Sequence, residues 1–249
     1  MDILQKYFEY FQIHHRSGVL HVVGEDGVGK TTLILEIIQS YLEQNLDARV
    51  FLLDSEKKFT KKRLRPLRSM SDRIYHQNLR SGDQLYQNLQ NLQNLQNLQN
   101  PKNPYTVTDI PMGSLLIIHS FSALMREDLA QVQDYLGYLR VITTMNSSIL
   151  PQLISLAVKN RWHLILTHHV AFDPEFKENR PAFHSLLENV NGMWWFLQKI
   201  PVEKSKISKE ITYLKELRIF ARFNLEMKDT ENIRFNKIFR AKISFKSES

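Results

Sequence analysis

The stretch Gly24-Glu25-Asp26-Gly27-Val28-Gly29-Lys30-Thr31-Thr32 constrains this chain more than any other, because it carries the spacing G-x-x-x-x-G-K-T. Glycines so placed let successive backbone N–H groups close round an anion, and the lysine and threonine add a cation and a hydroxyl at its edge. The flanks supply the required context. An apolar run, Val19 to Val23, precedes the loop; a helical pattern from Lys30 to about Gln44 follows it; a second apolar run ends at Asp54. Strand, loop, helix and strand in this order predict a βαβ unit, and hence a parallel sheet covered by helices. Within it the loop amides and helix N-terminus would ring a β-phosphate, Lys30 would reach the β- and γ-phosphates, and Thr31 would offer its hydroxyl to Mg²⁺. ATP and Mg²⁺ are therefore the expected cofactors. A glycine-rich turn with a surface lysine is the alternative.

Composition narrows the setting. The chain has 249 residues, enough for one sizeable core, and 33 basic against 26 acidic residues give a net charge of +7. That is a lean towards anionic partners. With no cysteine, thiolate metal sites, disulfide scaffolds and cysteine nucleophiles are excluded. The first residues lack the apolar run of a signal peptide, and the later apolar stretches read as far short of a membrane span, so a cytoplasmic or nuclear protein with no membrane partner is expected.

Further along, Lys57, Lys58, Lys61, Lys62, Arg63, Arg65 and Arg68 follow Glu56 with no acidic residue among them. Either they neutralise nucleic-acid phosphates or they are a solvated basic face. Residues 88–99 are four copies of Asn-Leu-Gln. Leucines three apart drift by about 60° per copy on a helix, which predicts no stable packing face, so 82–106 reads as a low-complexity insertion, mobile or partly helical. Leu115 to His119 is the next predicted strand. A long helical stretch containing Arg140, expected buried, follows and should break near Asn146 to Pro151; Trp162 to Thr167 is a further strand. The residues from His168 to Ser185 read as a polar loop bearing Lys177 and Arg180, and the remainder as strands forming an antiparallel sheet edge.

Three strand ends share the loop's rim in such a fold. Glu56, just beyond Asp54, could polarise a water against a γ-phosphate. His119 and Ser120 end the next strand, where histidine is a poor Mg²⁺ ligand. Thr167, His168 and His169 end the one after, and one of these histidines could sense the γ-phosphate. A zinc site from His119, His168 and His169 is disfavoured, since adjacent strand residues point to opposite faces.

Taken together, these segments resemble the RecA/Rad51 recombinase superfamily, in its archaeal RadA/RadB and eukaryotic Rad51-paralogue branch, over about Gly18 to Ser244. FLLDSEKKF is similar to the family strand whose glutamate activates the hydrolytic water, which implies that role for Glu56. LLIIHSFSALMRED resembles the family's magnesium strand with His119 in place of aspartate, and Thr167-His168-His169-Val170 stands where the family has Thr-Asn-Gln-Val. The resemblance implies an α/β fold of RecA-like P-loop type, with residues 1–17 a helical extension and 18–249 the ATPase core. It implies a nucleotide site built from Gly24 to Thr32, His119 and His169. It also implies a weak ATPase that binds single-stranded DNA, through Lys61, Lys62, Arg63, Arg65, Arg126, Lys177 and Arg180, and a Rad51/RadA-like recombinase or another paralogue in a hetero-oligomer. FEYF, Phe8 to Phe11, lacks the alanine of the family's assembly motif, and the first DNA loop is shortened to Arg126-Glu127-Asp128, so a complete strand-exchange filament is not expected. A regulatory or signalling ATPase without DNA function, and a non-hydrolysing structural subunit, remain as alternatives.

Overall fold

The computed structural model describes residues 19–97, 113–174, 177–187, 190, 192–199, 215–222 and 241–243. The expected helical extension at 1–17, the Phe8 to Phe11 segment and residues 98–106 of the expected insertion lie outside them. Ten strands and seven α-helices follow in chain order among the described residues. They are β1 Val19–Gly24, α1 Lys30–Gln44, β2 Val50–Asp54, α2 Lys61–Leu64, β3 Ile74–Asn78, α3 Gly82–Asn97, β4 Leu115–His119, α4 Phe121–Ala130, α5 Tyr135–Thr144, α6 Leu150–Asn160, β5 His163–His168, β6 Val170–Asp173, β7 Glu178–Pro181, α7 His184–Leu187, β8 Met193–Lys199, β9 Lys215–Arg222 and β10 Ala241–Ile243.

An eight-stranded sheet runs in the order β10-β9-β8-β1-β5-β4-β2-β3. From β8 to β3 all neighbours are parallel, while β9 and β10 form an antiparallel edge. The antiparallel part thus begins one strand later than expected, since β8 pairs parallel to β1. Strand alternation buries both faces. Leu20, Val22, Val50, Leu52, Leu115, Ile117 and Ile165 pack on one side under α1, and Val23, Phe51, Leu53, Leu116, Ile118, Leu164 and Leu166 on the other under α3, α4 and α6. Such two-sided burial explains the near-continuous apolar runs of the central strands.

Four differences from the sequence expectation have physical causes. Residues 82–97 form a helix that packs: Leu85 and Leu89 are fully buried and Leu92 is partly so. Leu85 precedes the repeat, and its four-then-three spacing to Leu89 and Leu92 keeps all three within about 60° of arc, before the drift carries later leucines away. The Ser81 hydroxyl accepts from Gln84 N and the Gln84 side chain from Arg80 N, capping that helix start. Second, β3 adds an edge strand from Ile-Tyr-His-Gln-Asn, too polar to announce itself.

Third, much of the expected polar loop is the β6–β7 hairpin. Fourth, α5 and α6 join through a π-helical turn, Met145–Ile149, into a continuous helical run Tyr135–Asn160 of 26 residues, long and apolar enough to cross a membrane by length and composition. Counting only uninterrupted apolar residues understated that run, which interleaves Gly, Thr, Ser and Asn. It packs on the sheet through Met145, Ile149, Leu150, Leu153 and Leu156, whereas Arg140 is exposed, not buried, because α5 buries none of its residues.

Candidate nucleotide-binding site

All the parallel strands present their C-terminal ends at one rim, and the loop after β1 lies there. Its shape depends on glycine at two points. Gly29 has φ +114°, a left-handed conformation that a side chain would strain, and a Cβ on Gly24 would lie 2.7 Å from Val28 Cγ1 and 3.1 Å from the Leu197 carbonyl. Gly29 caps α1 without a side-chain acceptor, and the helix's first turn carries no acidic residue. Its leading N–H groups and positive dipole end are thus left facing the loop. Lys30 is 6% exposed and donates through Nζ to the carbonyls of Gly24 (2.6 Å) and Glu25 (2.9 Å). Burial lowers its pKa to about 8, against the upward pull of Asp26 and Glu56.

Beside the loop opens a cleft of about 850 Å³, lined by Asp26 to Thr32 and also by Glu56, Lys58, Lys62, Arg63 and His119. Two of the residues expected to serve DNA, Lys62 and Arg63, therefore face the same cleft as the glycine-rich loop. Lys61 and Arg65 are exposed. A second, shallower groove of about 580 Å³ runs on the far side of Glu56, lined by Lys57, Lys58, Ala123, Arg126 and Glu127 among others. Glu56 and Lys58 belong to both walls. Lys177 is exposed at the turn of the β6–β7 hairpin, and Arg180 lies 4.0 Å from Asp173 within it, so the hairpin geometry engages Arg180 locally.

Glu56 is held at both oxygens. Ser120 donates its hydroxyl to Oε2 at 2.6 Å, and His169 Nε2 lies 2.8 Å from Oε1. Partial burial pushes the carboxyl up, but these two partners outweigh it and bring the pKa down to about 2. Glu56 is therefore a carboxylate poor at taking protons and good at orienting a donor. Ser120 reaches it from a left-handed backbone, φ +60°, a strained setting for a non-glycine residue, fixed by Thr167 Oγ1 accepting from its N–H and by Ser55 donating to its carbonyl. The other edge of the His169 ring, Nδ1, lies 3.3 Å from Asp26 Oδ1. Ligand atoms of Asp26, Glu56 and His169 fall within 4.8 Å of one another, as a metal would need, yet the two ring nitrogens face different carboxylates. That arrangement sets the ring between Asp26 of the loop and Glu56.

His119 joins a second chain of contacts. Nε2 lies 3.1 Å from Thr31 Oγ1, Nδ1 lies 3.3 Å from Asp54 Oδ1, and the Phe59 ring meets the imidazole edge-on at 4.9 Å. Asp54 is fully buried and also accepts from Glu56 N and Phe59 N. Burial raises its pKa, and the hydrogen bonds from His119 and Phe59 more than reverse this, leaving a net downward shift. The sequence places Asp54 at the rim as the end of β2 but assigns it no role; the register of β2 against β4 sets it opposite His119. Magnesium prefers a full octahedron of oxygens. Thr31 offers one, but the side chain touching it is an imidazole, and the Asp54 oxygens are turned to His119 and two backbone amides, so this donor set does not suit Mg²⁺.

His168 does not enter the cleft. It is fully buried and hydrogen-bonds through Nε2 to His21 Nδ1 at 3.0 Å. No protein-family model matches the chain, and no curated protein matches it.

Proposed function

We propose that the protein binds ATP in the rim cleft and acts as a RecA-like, Rad51-paralogue-type accessory ATPase of low turnover, contacting single-stranded DNA and a partner recombinase or paralogue. One observation carries the reading: the glycine-rich loop, Glu56 and His119, from three separate segments, line one cleft, and His169 from a fourth contacts Glu56 and Asp26 behind its wall. The sheet order supports it, since β5 between β1 and β4 brings Thr167 to His169 against the loop.

In this reading Lys30 exchanges the Gly24 and Glu25 carbonyls for phosphate oxygens, and the loop amides and α1 N-terminus hold the rest of the triphosphate. Glu56 orients the attacking water through whichever oxygen Ser120 or His169 releases. Low proton affinity at Glu56 keeps the reaction slow, because a base at about 2 matches poorly a task near neutrality. Steady-state ATP turnover that is slow in the wild type and lost in Glu56→Gln supports hydrolysis; equal turnover in both refutes it. A nucleotide-holding subunit that does not hydrolyse is the second reading, favoured by the engagement of both Glu56 oxygens.

DNA contact is read from the shallow groove, where Lys57, Lys58 and Arg126 flank Glu56 and would link backbone phosphates to the nucleotide cleft. Each phosphate neutralised adds roughly 0.7 to the slope of log affinity against log salt for a single strand. Replacing Lys57 and Arg126 with alanine should flatten that slope. An unchanged slope would move the contact elsewhere, to Lys61 and Arg65 first.

A further inference from the structure

We propose that this site takes its nucleotide without a divalent ion, and that the ammonium of Lys58 supplies, in the ion's place, the second positive charge that the phosphates need. The inference rests on the nucleotide reading above and deepens it by naming the form of nucleotide bound, the uncomplexed polyphosphate.

The donor set comes first. A magnesium ion beside a phosphate keeps several waters, and these need oxygen acceptors on the protein to hold them. Next to Thr31 stands His119 instead, with Nδ1 3.3 Å from Asp54 Oδ1 and Nε2 3.1 Å from Thr31 Oγ1. With Nδ1–H given to Asp54, the ring has one lone pair, and the Thr31 hydroxyl takes it. Nothing remains on the imidazole to accept from a metal-bound water. Asp54 is also committed to the amides of Glu56 and Phe59, and the Glu56 oxygens to Ser120 and His169. The countercharge to the phosphates therefore falls to side chains.

Lys58 is placed to give it. Just after β2, Lys57 adopts a left-handed backbone, φ +55°, a strained setting for a lysine that persists only where the surrounding chain enforces it. The chain beyond is tied down. The Lys58 carbonyl accepts from Arg63 Nη1 at 3.2 Å, and Phe59, 3% exposed, donates its N–H to Asp54 Oδ2 at 2.9 Å. From this anchored segment the Lys58 side chain lines the cleft together with the glycine-rich loop and Glu56. It is exposed, and among the described residues no ion pair holds it.

Electrostatics agree with that placement. Behind the larger effects of burial and hydrogen bonding, the Lys58 charge lowers the pKa of Lys30 and of Glu56 alike, so it acts on the space between them. Lys30 serves a phosphate held in the loop. An outer phosphate, lying towards the Glu56 carboxylate, needs a cation beside it, and Lys58 stands on that wall.

The test is calorimetric titration of ATP into the full chain, once in excess Mg²⁺ and once in excess EDTA. The two wild-type affinities should agree within about twofold. In EDTA, Lys58→Met, which keeps the apolar stem, should weaken ATP by on the order of tenfold and ADP by less, and added Mg²⁺ should not restore the loss. Lys58→Arg should recover most of it. Lys159→Met, which removes the same charge from the last turn of α6, should leave the affinity unchanged. ATP held about tenfold or more tighter with Mg²⁺ than in EDTA overturns the inference and leaves the nucleotide reading standing, as does equal affinity of Lys58→Met and the wild type. Failure of the wild type to bind ATP in either buffer overturns both.

Discussion

Two pairs of histidines lie against the same sheet and come to opposite ends. His119 and His169 stand at the rim against carboxylates, His119 beside Asp54 and His169 between Glu56 and Asp26. His21 and His168 lie 147 residues apart in sequence but on neighbouring strands, β1 and β5, where they hydrogen-bond to each other and stack with Trp194, whose ring is 3.8 Å from that of His21 and 5° from parallel. Burial lowers His168 to about 3 and His21 well below its usual value, and each would repel a charge on a neighbouring histidine. Both therefore remain neutral and serve as aromatic core. Burial is common to all four; a carboxylate partner, and contact with residues that line the cleft, distinguish the rim pair.

The contrast can be broken in several ways. Largest in stability, and remote from both pairs, is Leu89→Ala on α3: a buried leucine removed from a packed helix should cost about 2–5 kcal/mol in denaturant unfolding. Nucleotide affinity should stay unchanged. Unaltered stability would restore the picture of residues 82–97 as a loose insertion. Next is acid. Glu56 has its folded pKa lowered from 4.5 to about 2, so its contribution to stability is complete above 4.5 and fades as pH falls towards 2. Unfolding curves across that window should show Glu56→Gln less acid-sensitive than the wild type; parallel curves would mean that Ser120 and His169 do not hold the carboxylate in solution.

Alkali tests Lys30. Its folded pKa of about 8 lies below the usual 10.5, so between these values the unfolded chain binds more protons and the Lys30 contribution makes stability rise with pH. Nucleotide affinity should move the other way, weakening above pH 8 as the ammonium needed by the phosphates is lost. Flat affinity from pH 7 to 9.5 would contradict the assignment of Lys30. The smallest effect is expected at the interior pair: the double change His21→Leu and His168→Leu removes a polar contact as a matched pair and should alter stability by no more than about 1.5 kcal/mol, with ATP affinity intact. Loss of nucleotide binding there would erase the distinction between the two pairs.

Much of the scaffold was legible because local and global signals agreed. The loop, α1 from Lys30 to Gln44 and β4 from Leu115 to His119 followed from glycine placement and apolar runs alone. Edge strand β3 and the β6–β7 hairpin were not, since strands with a solvent face and polar composition lack that signal. Glu56, His119 and His169 could be assigned to the rim from strand ends, but their partners could not. Asp54 meets His119 only through the register of β2 against β4, and Ser120 meets Glu56 only because its backbone turns left-handed after that strand. Such contacts depend on packing between distant segments, which periodicity does not encode.

The central claim is that the rim cluster built on Lys30 is a nucleotide site. Calorimetric titration of ATP into the wild type and Lys30→Ala, at pH 7 and in parallel with thermal unfolding to confirm that both are folded, tests it most directly. Saturable binding by the wild type, weakened by about a hundredfold in the variant as expected for loss of a buried charge contact, is the predicted result. Equal affinities in two folded proteins, or no binding by the wild type, would contradict it.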